Sequence, residues 1–141
     1  MGWRTTIRTN AKQKVLDYST ANPTILRQVY RTRPASFPTV PCAYIGDIRT
    51  QSEADSGTRR TSAEVDIVLV TSNVINDEAD AELDTIADAL DLSFINDPHV
   101  FGSNTVQEPV RSTTVDISVG DVPYHGLILT LGKVLIDEGR V

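Results

Sequence analysis

Apolar residues recur at helical spacing near the start of the chain. Between residues 5 and 19 they follow one another at intervals of four, four and three, which places them on one face of an α-helix. These positions are Ile7, Ala11, Val15 and Tyr18, with Leu16 beside them. Asn22-Pro23 ends the pattern, because the residue before a proline avoids the helical region. The spacing predicts an amphipathic helix over residues 5–19.

A second stretch, residues 76–91, shows helical spacing more clearly. Its apolar positions are Ile75, Ala79, Leu83, Ile86 and Leu90. The opposite face is a row of aspartates at spacings of three, four, four and three, namely Asp77, Asp80, Asp84, Asp88 and Asp91. Acidic residues in the first turn suit the positive end of the helix dipole. The pattern predicts a helix with one apolar face and one acidic face.

Alternation of apolar and polar residues predicts the main strands. Residues 61–71 alternate at first and then become apolar on both faces, which is typical of a strand that is central at its far end. Residues 113–119 and 124–134 alternate on either side of Gly120-Asp121. A two-residue sequence with glycine between such runs is typical of a hairpin turn.

The remaining segments carry weaker signals. Residues 25–30 and 43–48 are rich in β-branched and aromatic residues and predict two further strands. Three prolines between residues 33 and 41 favour an extended connection between them. Residues 50–60 are polar and predict a long mobile loop, and turn residues predict irregular structure over 93–109.

The order of elements predicts the fold class. Helix, three strands, helix and two strands indicate an α+β fold, with two helices packed on a single mixed, mainly antiparallel sheet of about five strands. The 141 residues suit one domain, residues 1–141. The predicted core joins the third strand to the second helix through Val65, Ile67, Leu69, Leu83, Ile86 and Leu90.

The charge is distributed unevenly along the chain. Residues 1–60 hold ten basic and four acidic residues, a net charge of +6, and residues 61–141 hold three basic and fifteen acidic residues, a net charge of −12. This asymmetry indicates paired surfaces between subunits or nucleic-acid binding. Specific DNA binding is disfavoured, because it rests on Lys and Arg side chains that neutralise phosphates. No window approaches the ~18 uninterrupted apolar residues of a membrane helix, so we expect a protein assembled in the cytoplasm.

No arrangement of residues predicts catalysis. Cys42 is the single cysteine, and free cysteines are usually buried and inert. His99 and His125 share no ligand spacing. Asp77-Glu78-Ala79-Asp80 matches a helicase string, but it opens a helix and the chain has no phosphate-binding loop. We therefore expect no enzyme activity, no catalytic residue, no cofactor and no metal site.

The row of aspartates on the second predicted helix has three interpretations. Such a row is most often a solvated helix face. It can also make electrostatic contacts in an assembly, or bind a divalent cation. The sequence by itself leaves the three open.

The order of elements resembles the tail terminator family of long-tailed bacteriophages. The shared features are an amphipathic N-terminal helix, two strands around a proline-bearing connection, a long polar loop, a strong apolar strand, an acidic helix and a closing hairpin. In this sequence they are residues 5–19, 25–48, 50–60, 63–71, 76–90 and 113–134. The resemblance covers nearly the whole chain, and related tail-completion and neck proteins share it.

The resemblance implies a structural virion protein of the tail. Such a protein forms a homohexameric ring, caps the finished tail tube, stops its polymerisation and joins the tail to the head. Its partners are further copies of itself, the major tail tube protein and the head–tail connector protein, with DNA passing non-specifically through the channel. The alternatives are a small ligand-binding or regulatory α+β domain and an enzyme whose active site is assembled from distant residues.

A ring of identical subunits joins one surface to a different surface of the next copy. The basic first segment and the acidic later segment give this chain two such unlike surfaces. We therefore predict charged residues at the interface with another subunit or with the tube. The candidates are Arg27, Arg31, Arg33, Glu53, Asp55, Arg59, Arg60, Asp80, Asp84, Asp88 and Asp91.

Overall fold

Two helices and five strands follow one another in the order α-β-β-β-α-β-β. The computed structural model describes residues 3–37, 39–55, 58–71, 76–96, 110–119 and 122–140. The elements are α1 (Trp3–Ala21), β1 (Gln28–Tyr30), β2 (Cys42–Asp55), β3 (Thr58–Thr71), α2 (Asn76–Ile95), β4 (Val110–Val119) and β5 (Val122–Arg140). The α+β fold class predicted from the sequence is confirmed.

The strands form one mixed sheet in the order β1-β2-β3-β5-β4. β1 and β2 run parallel, and every other neighbouring pair runs antiparallel. Two of the antiparallel pairs, β2–β3 and β4–β5, follow from short connections, since Asp55 pairs with Thr58 and Val119 pairs with Val122. The parallel pair needs a longer connection, which residues 31–41 supply.

Both helices cover one face of the sheet. α1 lies over β1 and β2, and α2 lies over β3 and β5. Ile7, Ala11 and Val15 of α1 are buried, and Leu16 and Tyr18 pack against them, as the helical spacing predicts. The predicted core is confirmed as well, because its six residues are all 0% exposed: Val65, Ile67, Leu69, Leu83, Ile86 and Leu90.

The opposite face of the sheet carries a second, smaller apolar cluster. Its buried members are Phe37, Cys42, Tyr44, Val68, Val70 and Ile117. Phe37, in the connection between β1 and β2, stacks on Tyr44 with ring centroids 6.0 Å apart and meets Tyr124 edge-on at 5.0 Å. The proline-bearing connection therefore covers this face. The cluster explains why the end of β3 is apolar on both sides.

Residues 50–60 differ most from the sequence prediction, since their described part is strand and not a long loop. Thr50 pairs with Ala63 and Glu53 pairs with Arg60, while β5 continues along the far side of β3 and places Asp137 opposite Arg60. The ladder of backbone hydrogen bonds supports such strands, so their sequence needs no apolar alternation. This three-stranded part is called the extension below: residues 49–55 of β2, 58–64 of β3 and 134–140 of β5.

Other boundaries shift by a few residues. The first predicted strand, residues 25–30, is reduced to Gln28–Tyr30, because β1 pairs with only three residues of β2. α2 continues to Ile95, although irregular structure was predicted from residue 93. β4 and β5 both extend beyond their predicted limits. The rest of the irregular segment, residues 97–109 with His99, and the predicted turn at Gly120-Asp121 lie outside the described residues.

Candidate assembly interface

Four arginines converge at the β2 side of the sheet. Arg4 and Arg8 lie one turn apart on α1, Arg31 follows β1, and Arg49 belongs to β2. They line a cleft of about 370 Å³, called the arginine cleft below. Its lining consists of Arg4, Thr5, Arg8, Arg31, Asp47, Ile48 and Arg49. Asp47 is the one acidic residue among them.

Arg8 is fixed at the centre of this cleft by two backbone carbonyls. A β-bulge interrupts the β2–β3 ladder between Ile45 and Ile48. At this bulge Nη1 of Arg8 donates to the carbonyl oxygen of Ile45 at 2.9 Å, and it also donates to that of Arg31 at 3.3 Å. Burial and the neighbouring Arg31 charge lower the pKa of Arg8, and Asp47 acts in the opposite direction. Arg8 is thus held in place next to a like charge.

Arg49 differs from Arg8, because its charge is neutralised within the chain. Its guanidinium donates to both carboxylate oxygens of Asp66, at 2.6 and 2.9 Å, and to Glu64 at 3.2 Å. Thr130 donates a further hydrogen bond to Asp66 at 2.9 Å. The bonds to Asp66 raise the pKa of Arg49 above its ordinary value. The hydrogen bonds to Asp66 therefore join β2, β3 and β5 on the face opposite the helices.

The residues of the first 60 positions that were predicted at the interface are only partly brought together. Arg31 lines the arginine cleft, and Arg33 lines an adjoining cleft of about 350 Å³ that shares Arg8 and Asp47 with it. Arg27 is exposed and lines neither cleft. The strand backbones place the other four on the extension, where their side chains are not described: Glu53, Asp55, Arg59 and Arg60.

Sequence reasoning missed Arg4, Arg8 and Arg49. A spacing of four places Arg4 and Arg8 on the same side of α1, beside its apolar face, and this spacing is visible in the sequence. The proximity of Arg31 depends on the parallel pairing of β1 with β2, which no local pattern indicates.

The acidic row of α2 divides into two groups. Asp77, Asp84 and Asp88 are exposed, as a solvated helix face predicts. Asp80 is not free, because its Oδ1 lies 2.8 Å from Nε2 of His125 on β5. Asp91 is half-buried, and its buried Oδ1 has no hydrogen-bond partner among the described residues. The row is therefore not uniformly solvated.

His125 connects α2 to the outer strands. Its Nε2 lies 2.8 Å from Asp80, and its Nδ1 lies 3.5 Å from Asp116 of β4. Nε2 is within hydrogen-bond distance of Asp80, whereas the contact of Nδ1 with the largely exposed Asp116 side chain is longer. The arrangement therefore fits a link between α2 and the outer strands.

Besides the outer edges of β1 and β4, two further stretches of strand edge are open within the described residues. β1 covers only Cys42–Tyr44 of β2, so residues 45–55 of β2 pair on one side alone. β4 reaches only Leu131 of β5, so residues 132–140 of β5 also pair on one side alone. The two edges lie on opposite sides of β3. Unpaired N–H and C=O groups on such edges can pair with another chain.

Cys42 is buried, as its surroundings in the sequence predict. Burial raises the pKa of its thiol from an ordinary value of 9.0 to about 12. Among the described residues, no group of three or more His, Cys, Asp or Glu side chains could hold a metal ion.

We expect Cys42 in the folded protein to react with 5,5′-dithiobis(2-nitrobenzoate) at pH 8 about a thousand-fold more slowly than in guanidinium chloride, because the thiolate is the reactive form. The unfolded thiol ionises near 9.0 and the folded thiol only near 12, so the contribution to stability is present below pH 9 and is lost as the pH rises toward 12. Cys42→Ala should remove this part of the alkaline loss of stability. Equal reaction rates in the two states would contradict the burial.

Within the described residues, the candidate interface thus consists of two unlike sides. The β2 side has an open edge and the arginine cleft, and the β5 side has an open edge and the acidic α2. Neither described helix combines the length and the apolarity needed to cross a membrane. Comparison with protein-family models and with curated proteins gives no match.

Proposed function

We propose that the protein is a ring-forming structural subunit of a virion, the tail terminator of a long-tailed bacteriophage. The ring caps the finished tail tube, stops its polymerisation and joins the tail to the head connector. Its partners are further copies of the same chain, the major tail tube protein and the head–tail connector protein.

One observation carries this proposal: among the described residues, the open edges of β2 and β5 lie on opposite sides of β3. Residues 45–55 of β2 and residues 132–140 of β5 lie on either side of β3, and both strands pair with β3. Their open edges therefore face away from β3, in opposite directions. When the β5 edge of one copy meets the β2 edge of the next, each copy still has one edge free. Such head-to-tail contacts close into a ring when the rotation between copies allows it.

The proposed position of the ring at the end of the tail tube rests on the order of helices and strands, which resembles that of the tail terminator family. A ring at the end of a tube needs one face for the tube and one for the head connector, and contacts within the plane of the ring leave both faces free. The net charge of −6 also suits a channel through which DNA passes without binding.

The test is electron microscopy of tail tubes assembled from the major tail tube protein with and without this protein. We expect tubes of limited length that carry a six-fold cap when the protein is added, and tubes of unlimited length without it. Tubes that grow without limit and carry no cap in its presence would refute the terminator function.

A further inference from the structure

The arginine cleft contains positive charge that the described residues do not neutralise. Arg8 uses only Nη1 for its hydrogen bonds, and its Nε and Nη2 have no acceptor among the described residues. Arg31 is exposed, and no described side chain forms an ion pair or hydrogen bond with its guanidinium. Asp47 is the one acidic residue of the lining, and Arg49 is already occupied by Asp66 and Glu64. The cleft therefore suits a ligand with carboxylate groups.

The exposed part of α2 offers two such carboxylates. Asp84 and Asp88 lie one turn apart and are exposed, and no described residue pairs with either of them. Residues at this spacing have Cβ atoms about 6 Å apart on one side of a helix. Arg8 and Arg31 lie side by side in the cleft, where Nη1 of Arg8 donates to the carbonyl oxygen of Arg31. A helix lying along the cleft would thus present two neighbouring carboxylates to two neighbouring arginines.

The helix that fits belongs to another copy of the chain. Within one copy, α1 lies over β1 and β2 while α2 lies over β3 and β5. The cleft is at the β2 side, and α2 is toward the opposite side. The head-to-tail contact between the β5 edge and the β2 edge would bring the α2 of one copy next to the cleft of its neighbour.

We propose that the arginine cleft binds the carboxylates of Asp84 and Asp88 from the α2 of the neighbouring copy. This proposal rests on the proposed ring. Ion pairs at a partly exposed interface contribute little energy each, so their role is to fix the register in which the strand edges meet.

Disulfide trapping between two full-length variants tests the contact and leaves every charge in place. Thr32→Cys places a thiol next to Arg31, and Thr85→Cys places one between Asp84 and Asp88; both positions are exposed. The native Cys42 is buried and does not compete. Thr24→Cys, exposed and outside the arginine cleft, is the matched control for Thr32→Cys. We expect the mixed dimer to form about ten-fold faster with Thr32→Cys than with Thr24→Cys, because attraction between the carboxylates and the arginine cleft brings the thiol of Thr85→Cys near position 32 and not near position 24.

A charge exchange tests the ion pairs themselves. Adding Arg31→Asp to the Thr32→Cys copy should reduce trapping about ten-fold, and adding Asp88→Arg to the Thr85→Cys copy should restore it. A thermal melt of each variant checks the fold, and Arg31→Gln replaces Arg31→Asp if the latter does not fold. Equal trapping with Thr24→Cys, or no recovery after the exchange, would overturn the proposal. If the protein caps tail tubes but the thiols are not trapped, the terminator function stands and the contact between the arginine cleft and α2 is refuted. If the thiols are trapped but tubes carry no cap, the contact stands and the terminator function is refuted.

Discussion

Leu83→Ala should lower the free energy of unfolding by about 2–5 kcal/mol, because it removes a fully buried side chain from a tightly packed site. Leu83 lies on the face of α2 that covers the sheet, and it is 0% exposed. It belongs to the same buried core cluster as Ile86 and Leu90 of the helix and Val65 and Leu129 of the sheet. The truncation leaves a cavity between two rigid elements that cannot close around it. Denaturation in urea followed by circular dichroism measures the change.

Asp84→Ala provides the matched control for Leu83→Ala. It is the next residue of the same helix, but its side chain is exposed, so its effect on stability should stay within about 0.5 kcal/mol. An unchanged melting temperature for Leu83→Ala would show that α2 faces the sheet with a different side.

The sequence predicts the parts of this fold in which burial repeats at a regular interval. The apolar faces of α1 and α2 and the alternation in β3 were identified because each element buries one side against the same core. The extension lacks that signal. Residues 50–60 are polar, and they form strand through backbone pairing with neighbours that are distant in sequence, such as Arg60 with Asp137. Polarity alone therefore predicted a loop.

The candidate interface was predictable only at the level of charge. A basic first segment and an acidic later segment are visible in the sequence, and the structure places them on different sides of the sheet. The residues that meet in the cleft could not be identified, because Arg8 and Arg31 come together through the parallel pairing of β1 and β2. Nor does helical spacing reveal that Asp80 contacts His125, which is 45 positions away.

Arg49→Met should lower the free energy of unfolding by about 2–4 kcal/mol, because it leaves a buried carboxylate without its counter-ion. The Asp66 side chain is only 9% exposed, and it accepts two hydrogen bonds from Arg49. After the substitution, Thr130 remains as its one described donor. The value lies below that of a fully buried pair, since the Arg49 side chain is 49% exposed and water screens part of the interaction.

The double variant Arg49→Met/Asp66→Val separates the loss of the pair from the burial of a lone charge. Val68 and Ile128 line the same cleft as Asp66, so an apolar side chain suits that position. Removing both charges together should therefore cost less than Arg49→Met alone, because a buried pair replaced by apolar residues is often close to neutral. A double-mutant cycle measured by urea denaturation gives the coupling between the two residues. Strictly additive effects would show that Arg49 and Asp66 do not stabilise each other.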